Sequence, residues 1–186
     1  MNDLALIAAV TSNIETILAN QGWDFFVVQK DQPTQQGIPT KGTVFFELLF
    51  HRNYGTNATQ FDFDQTQGNY VETETQVIIT TFQISCLIPQ DPTNTTLPTA
   101  KDVMDVVNRA LGGRHGALLF REQNIATFRV TKVNPNWFED DNHQMENHPT
   151  FDIELAHEGT TIWRTPASIG LEPREVDPFG SGTFPV

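Results

Sequence analysis

The sequence has little cysteine, few basic residues and no long apolar run. Its 186 residues include one cysteine, Cys86, which excludes an intrachain disulfide framework and a multi-cysteine zinc site. The chain has eleven Lys and Arg and 23 Asp and Glu. This net charge of -12 argues against a protein that binds nucleic acid by neutralising phosphates. No stretch approaches the roughly 20 apolar residues of a membrane span. No basic region precedes an apolar run at the N-terminus, so we expect no secretory signal.

The residues that are abundant indicate a mixture of helices and strands. Thr, Asn and Gln together number 49 and Phe numbers 14, and both Thr and Phe favour strands. Apolar residues at helical spacing predict helices over Asn2–Gln21 and Ala100–Leu111, with Thr99 capping the second. A short third helix is predicted at Ala117–Phe120. We expect an α+β fold with a mostly antiparallel sheet and two or three helices packed on one face.

One predicted strand, Tyr70–Ile88, is longer than strands usually are. We expect it to project as a β-arm that adds an edge to a neighbouring subunit, and the residues suggested for this contact are Glu72, Glu74, Gln76 and Ile78. The stretch Gly55–Asn69 is interpreted as a connection or a hairpin tip. The other predicted strands are Trp23–Lys30, Gly42–Tyr54, Ile125–Asn134 and Thr150–His157. We predict a domain over residues 1–163 and an extended Pro- and Gly-rich tail over residues 164–186.

The densest polar cluster leaves two interpretations open. It comprises Glu139, Asp140, Asp141, Asn142, His143, Glu146 and His148. A metal-dependent hydrolase that uses Asp140, Asp141, His143 and His148 is one hypothesis, because carboxylates and imidazoles bind divalent metals. The spacing matches neither an EF-hand loop nor HExxH, so a solvated turn between two strands is favoured.

Two further features give no support to catalysis. The glycine-rich Gly112–Gly116 lacks the Lys-Ser/Thr of a phosphate-binding loop and is better interpreted as the end of a helix. Cys86 lies in an apolar strand, where a thiol behaves as a small hydrophobe. We therefore expect no enzyme, no catalytic residue, no metal and no cofactor.

Charge is distributed unevenly along the chain. Residues 101–132 hold six basic and three acidic residues, whereas residues 139–158 hold seven acidic residues and no Lys or Arg. Opposite patches on one subunit can meet head to tail and close a ring, although scatter over a monomer fits equally well. The suggested interface residues are Arg109, Arg114, Arg121, Glu139, Asp140 and Asp141.

Several segments of the sequence resemble those of the phage tail-terminator and neck (tail-completion) proteins. These are the first helix ending at Gly22-Trp23, the strand from Glu74 to Ser85, the helix Ala100–Leu111, and Asn136 to Gln144 followed by Pro149 to Leu155. The resemblance covers roughly residues 3–163 and implies a structural virion protein, assembled in the host cytoplasm. It implies a hexameric ring that ends tail-tube polymerisation and joins the tail to the head connector or stopper, with DNA passing unbound through the lumen. A head-completion adaptor or baseplate-hub protein is the alternative.

Overall fold

The fold is the predicted α+β type. The computed structural model describes residues 2–30, 41–89, 96–139 and 145–166. Its helices are α1 (Asp3–Asn20), α2 (Ala100–Gly112) and α3 (Arg114–Arg121). Its strands are β1 (Phe26–Gln29), β2 (Thr43–Asp64), β3 (Asn69–Leu87), β4 (Ala126–Val130), β5 (Trp137–Glu139), β6 (Met145–Asn147) and β7 (Thr150–Pro166).

α1 and α2 begin where the sequence predicts, because polar side chains cap their first turns, whereas α3 begins at Arg114, three residues before the predicted start, and has no side-chain cap. The Asn2 side chain accepts a hydrogen bond from the Ala5 amide of α1 at 2.9 Å. At α2, the Thr99 hydroxyl accepts from the Asp102 amide while the Asp102 carboxylate accepts from the Thr99 amide. The hydrogen bonds from Thr99 lower the pKa of the Asp102 carboxyl. Both caps satisfy amides that have no partner inside the helix.

Five strands form one sheet in the order β1-β2-β3-β7-β4. The β1–β2 pair is parallel, whereas β4 and β7 are antiparallel. A separate two-stranded antiparallel sheet is formed by β5 and β6, in which Trp137 lies opposite Asn147. The mostly antiparallel sheet with three helices confirms the predicted fold class.

The sheet order places the long strand inside the sheet, because β3 lies between β2 and β7. Its contact with a neighbouring subunit stays a prediction. The outer edges next to it belong instead to β2 and β7.

The strand before the hairpin turn is also longer than predicted. β2 continues through Gly55 to Asp64, so only residues 65–68 turn. The Asp64 carboxylate accepts hydrogen bonds from the backbone amides of Thr66 and Gln67. The backbone carbonyl of Asp64 accepts a hydrogen bond from the Gly68 amide at 2.8 Å. Gly68 has a φ of 65°, which glycine adopts without steric cost. The largely polar residues 55–64 form a strand because β3 pairs with them, although their own sequence alternates only at Phe61–Asp64.

The core lies between the three helices and one face of the sheet. Phe46, Phe82, Phe120 and Phe151 are all buried in it. The α2–α3 corner is tight, since a Cβ on Gly116 would lie 2.5 Å from the Ala110 carbonyl oxygen. This close approach explains the glycines of Gly112–Gly116 structurally, and Gly113 ends α2 as predicted.

The chain divides into two compact units. The first comprises Met1–Ala58 and Thr75–Thr160, and it contains the core. The second comprises Thr59–Glu74 and Thr161–Val186, of which residues 167–186 lie outside the described part. Within the second unit, the rings of Phe63 and Tyr70 are tilted with centroids 5.0 Å apart. β7 runs through the predicted tail boundary at residue 164 to Pro166, and the boundary itself stays a prediction.

Candidate subunit interface and docking surfaces

Two long strands have outer edges that carry no partner strand among the described residues. β1 pairs with β2 only at Thr43–Phe46, and β4 pairs with β7 only at Ile153–Ala156. Within the described parts of the chain, no partner strand covers the outer edge of β2 from Glu47 or the outer edge of β7 beyond Glu158. Such edges pair readily with another chain.

Large apolar side chains are exposed on the same strands. They are Phe50, Tyr54, Phe61, Phe63, Tyr70, Val77, Ile162 and Trp163. Single exposed apolar residues are ordinary, but several on a few adjoining strands are typical of a surface that meets other proteins.

The sheet face opposite the helices is bridged by side chains from non-adjacent strands. Arg52 of β2 binds the Glu154 carboxylate of β7 at 2.6 Å and lies 5.5 Å from the ring centroid of Phe128 on β4. The Tyr54 and Phe128 rings are 5.8 Å apart. In a flat sheet β2 and β4 would be about 14 Å apart, given a spacing of roughly 4.8 Å between strands. The side chains of Arg52, Tyr54 and Phe128 therefore reach across the two intervening strands.

A basic groove separates β4 from the α2–α3 corner, and its volume is about 470 Å³. Arg109 of α2 and Arg129 of β4 both line it, together with Phe128. The Asn108 amide donates to the Thr131 carbonyl at 2.8 Å and holds α2 against the segment after β4. The Arg109 Nε donates to the Asp105 carbonyl, which directs the guanidinium along the helix surface. We call this feature the basic groove below.

The structure separates the three arginines that the sequence suggested for an interface. Arg109 lines the basic groove, and Arg114 is exposed at the start of α3 without lining it. Arg121 instead lines a larger cleft of about 840 Å³ together with His157. Glu139 ends β5, and Asp140 and Asp141 lie outside the described residues, so an interface role for all of these stays a prediction.

The residues suggested for arm contacts are distributed along β3. Glu72 and Glu74 are half-buried, and the Gln76 side chain donates to the Gly55 carbonyl at 3.1 Å. Ile78 is half-buried against Gly159, where a Cβ would lie 2.3 Å from its Cδ1. Gln76 and Ile78 thus contact the flanking strands of their own chain, and their contact with a neighbour stays a prediction.

Sequence reasoning missed Phe128 and Arg52 as surface residues, and it counted Arg129 only among the six basic residues of 101–132. The available signal was an exposed aromatic beside an arginine in a short edge strand. Recognising it requires knowing that β4 is the last strand of the sheet and that α2 packs beside it. Neither fact is local in the sequence.

Two histidines flank a buried threonine between the sheet and α1. The Thr80 hydroxyl lies 2.8 Å from His51 Nδ1 and 3.0 Å from His157 Nε2. His51 Nε2 is 3.5 Å from an Asp3 carboxylate oxygen of α1. Burial lowers the pKa of His157, the nearby amino terminus and His51 lower it further, and Asp3 and the Glu158 backbone oppose the shift. The neutral imidazole is therefore favoured at this position.

Neither the Cys86 thiol nor a cluster of metal ligands offers a catalytic group in the described part of the chain. Burial raises the pKa of the Cys86 thiol to about 12, which keeps it protonated and inert. Residues 2–30, 41–89, 96–139 and 145–166 contain no group of three potential metal ligands. Asp140, Asp141 and His143 lie outside these ranges, so the metal hypothesis is not tested. None of the described helices is long and apolar enough to cross a bilayer.

Comparison with known proteins agrees with the resemblance drawn from the sequence. No curated protein matches the chain. Among solved structures, the chain is similar to the sheath/tube terminator of an extracellular contractile injection system, PVC, in its extended state. The TM-score is 0.54 at 14% identity, and the match covers 98% of this chain but only 66% of that one. This likeness concerns the fold.

The family assignment rests on a match along most of the sequence. The family described as "E217 gateway protein gp29" matches residues 5–167, which include every helix and all strands through β7. The prediction of a phage tail-terminator family is thereby confirmed. The chain belongs to the E217 gateway protein gp29 family.

Proposed function

We propose that this protein is the tail-terminating structural protein of a phage virion and acts as a homo-oligomeric ring. The ring, with six subunits as the sequence resemblance implies, ends polymerisation of the tail tube and joins it to the head connector. Family membership over residues 5–167 supports the structural role. The observation that supports the ring is that no described strand pairs with the outer edge of β2 from Glu47 or with the outer edge of β7 beyond Glu158.

The two edges differ, and this difference favours a ring over a simple dimer. If the outer edge of β2 in one subunit pairs with the outer edge of β7 in the next, the contact is heterologous. Heterologous contacts repeat until the rotation closes, and closure covers both of these edges in every subunit. Backbone pairing also suits the polar Thr, Asn and Gln residues of β2, since it needs no particular side chain.

The second unit supplies the surfaces that the lumen and the tail tube require. Residues 59–74 carry Asp62, Asp64, Glu72 and Glu74 and no Lys or Arg. Carboxylates that face DNA repel its phosphates, so DNA slides past without being held. Phe61 and Tyr70 are exposed on the same hairpin, and we assign them to contact with the tube.

Tail length is the direct test of this function. Tails assembled without the protein are expected to grow beyond their uniform length, and adding the purified protein to tubes should stop growth and leave a ring at one end in negative-stain images. A chain that stays monomeric and leaves the length of growing tubes unchanged would contradict the proposal. A ring on the head vertex or the baseplate, with tube length unaffected, would assign the protein to head completion or the baseplate hub.

A further inference from the structure

The uncovered stretches of β2 and β7 begin at the same level of the sheet. The Thr80 hydroxyl of β3 lies 2.8 Å from His51 Nδ1 of β2 and 3.0 Å from His157 Nε2 of β7, so these three residues share one level. The pairings with β1 and β4 both lie on the N-terminal side of this level in β2 and β7. Past it, no described strand covers the outer edge of β2 or the outer edge of β7 beyond Glu158.

Neither stretch carries the residues that commonly protect a strand edge in a monomer. Residues 53–61 of β2 and residues 159–163 of β7 contain no charged residue and no proline. Charged side chains and proline at an edge discourage pairing with another chain. One chain therefore has an unprotected edge on each side of β3, and copies of the chain can join through these edges without a second kind of protein. This argues for a second copy as the partner.

β3 contacts both of its neighbours in an antiparallel register. Gln76, which precedes Thr80, donates a side-chain hydrogen bond to the carbonyl of Gly55, which follows the histidine partner of Thr80 in β2. Gln83, which follows Thr80, donates to the carboxylate of Asp152, which precedes the histidine partner in β7. Since β2 and β7 both run antiparallel to β3, they run in the same direction as each other.

A ring largely keeps this direction from one subunit to the next. A rotation of about 60° relates neighbours in a ring of six, so no strand changes direction by more than that between them. A parallel join of β7 to the next subunit's β2 requires a change of roughly 60°, given about 20° of twist for each of three strands, whereas an antiparallel join requires roughly 120°. Only the parallel join fits the ring. An antiparallel contact suits a two-fold dimer, in which an edge meets its own copy.

We infer that the sheets of neighbouring subunits join through a parallel pair, in which β7 of one subunit lies along β2 of the next. The edge of β2 already accepts a parallel strand within the chain, because β1 pairs with it at Thr43–Phe46. The neighbour's β7 continues along the same edge after β1 has ended. The inference rests on the proposed ring, and it names the two strands that hold the ring together and their relative direction.

Paired cysteines measure the direction of the join. Thr160→Cys in β7 is combined in turn with a cysteine at each of residues 53–60 of β2 other than Gly55, and a second set uses Ile162→Cys. All of these positions are exposed, whereas Cys86 is buried and stays in place. Within one chain β3 separates the two strands by roughly 10 Å, and a disulfide needs Cα atoms within roughly 7 Å. Any disulfide between the new cysteines therefore joins two subunits.

The expected result is a ladder of products beyond the dimer on non-reducing gels of protein assembled on tail tubes. With Thr160→Cys, one β2 position should cross-link several-fold more than the positions beside it, because adjacent residues of a strand point to opposite faces. Moving the β7 cysteine to Ile162 should move the best partner two residues toward the C-terminus of β2. An antiparallel join moves it two residues toward the N-terminus instead.

Single-cysteine variants are the matched controls. Thr160→Cys alone and Asn57→Cys alone should give no cross-linked product, and circular dichroism of the reduced variants checks that each is folded. The inference is overturned if the best partner moves toward the N-terminus of β2, or if folded double variants on tail tubes give no ladder at any position. Dimers formed as readily by a single-cysteine variant also overturn it, because they show that an edge meets its own copy.

Failure of this inference can be told apart from failure of the proposed function. If the wild-type protein ends tube growth while the double variants give no ladder or the opposite shift, the parallel join is wrong and the terminator function stands. If the wild-type protein fails to end tube growth, the function itself is wrong, whatever the two strands pair with.

Discussion

The two halves of β2 use the same residue type in opposite surroundings. Phe46 is 2% exposed and packs against Phe82 with ring centroids 6.3 Å apart, whereas Phe61 on the same strand is 72% exposed. The first half pairs with β1 and packs in the core, while the later half has a free outer edge. The comparison teaches that apolar residues on one strand can serve folding at one end and assembly at the other.

Phenylalanine truncation in the two regions gives the largest expected contrast. Phe82→Ala should lower the free energy of unfolding by about 3–5 kcal/mol, because a fully buried ring leaves a cavity. Phe61→Ala should change it by no more than about 0.5 kcal/mol, because its ring is already in water. Urea unfolding followed by circular dichroism measures both. Similar losses of stability for the two variants would show that the hairpin is part of the cooperative core. The two halves of β2 would then not differ in their contribution to folding.

Glycines in the two regions should differ for a different reason. Gly116→Ala places a Cβ 2.5 Å from the Ala110 carbonyl oxygen and 2.6 Å from the Leu111 Cα, and backbone cannot move aside as a side chain can. We expect it to lower the free energy of unfolding by about 1–3 kcal/mol. Gly55 has a positive φ of 77°, which strains any side chain, but nothing lies within 4 Å and Asn adopts this region more readily than most residues, so Gly55→Asn should cost no more than about 1 kcal/mol. Thermal unfolding compares the two, and an unaffected Gly116→Ala would mean that the α2–α3 corner is looser than described.

Much of the core region could be predicted from the sequence, because its signals are local. The apolar stripe of α1 and the Thr99 capping box of α2 depend on residues within a few positions of each other. The second half of β2 could not be predicted in this way. Residues 55–64 alternate weakly, and they form a strand because β3 supplies the pairing.

The candidate interface was predictable only in part. Charge counting identified Arg109, but its proximity to Arg129 depends on the packing of α2 against β4. The same counting grouped Arg121 with Arg109, although α3 directs Arg121 to a different cleft. The free edges of β2 and β7 follow from the sheet order, which depends on pairing between residues far apart in the chain.

Lowering the pH should weaken the core region through His157. Burial holds the pKa of native His157 below its ordinary value, so the unfolded chain takes up the proton at higher pH than the native chain does. Stability is therefore lost as the pH falls below about 6.5, the ordinary value for His. The charged and polar groups near His157 include Thr80, His51, Asp3, Arg121, the amino terminus and the Glu158 backbone, and all of them are retained in a His157→Gln variant.

The His157→Gln variant should show a shallower fall in the free energy of unfolding between roughly pH 7 and pH 5. His115→Gln, at an exposed position of α3 outside the hydrogen-bonded pair, should leave the slope unchanged. The measurement is denaturant unfolding at several pH values, and the slope is compared instead of the absolute stability. Equal slopes in the wild type and the His157→Gln variant would remove this histidine from the pH response.

Truncation after Trp163 should have the smallest effect on the core region. It removes Arg164 and Thr165, which are exposed, and Pro166 at the end of β7, together with residues 167–186. Among the described residues of this segment, 164–166, none belongs to the core cluster, and the Pro and Gly content of the remainder does not suggest core packing, so the free energy of unfolding should change by no more than about 0.5 kcal/mol. A large fall in melting temperature would show that the tail supports the core. Unchanged stability with weaker binding to tube ends would instead place the tail with the exposed half of β2, among the segments that serve assembly.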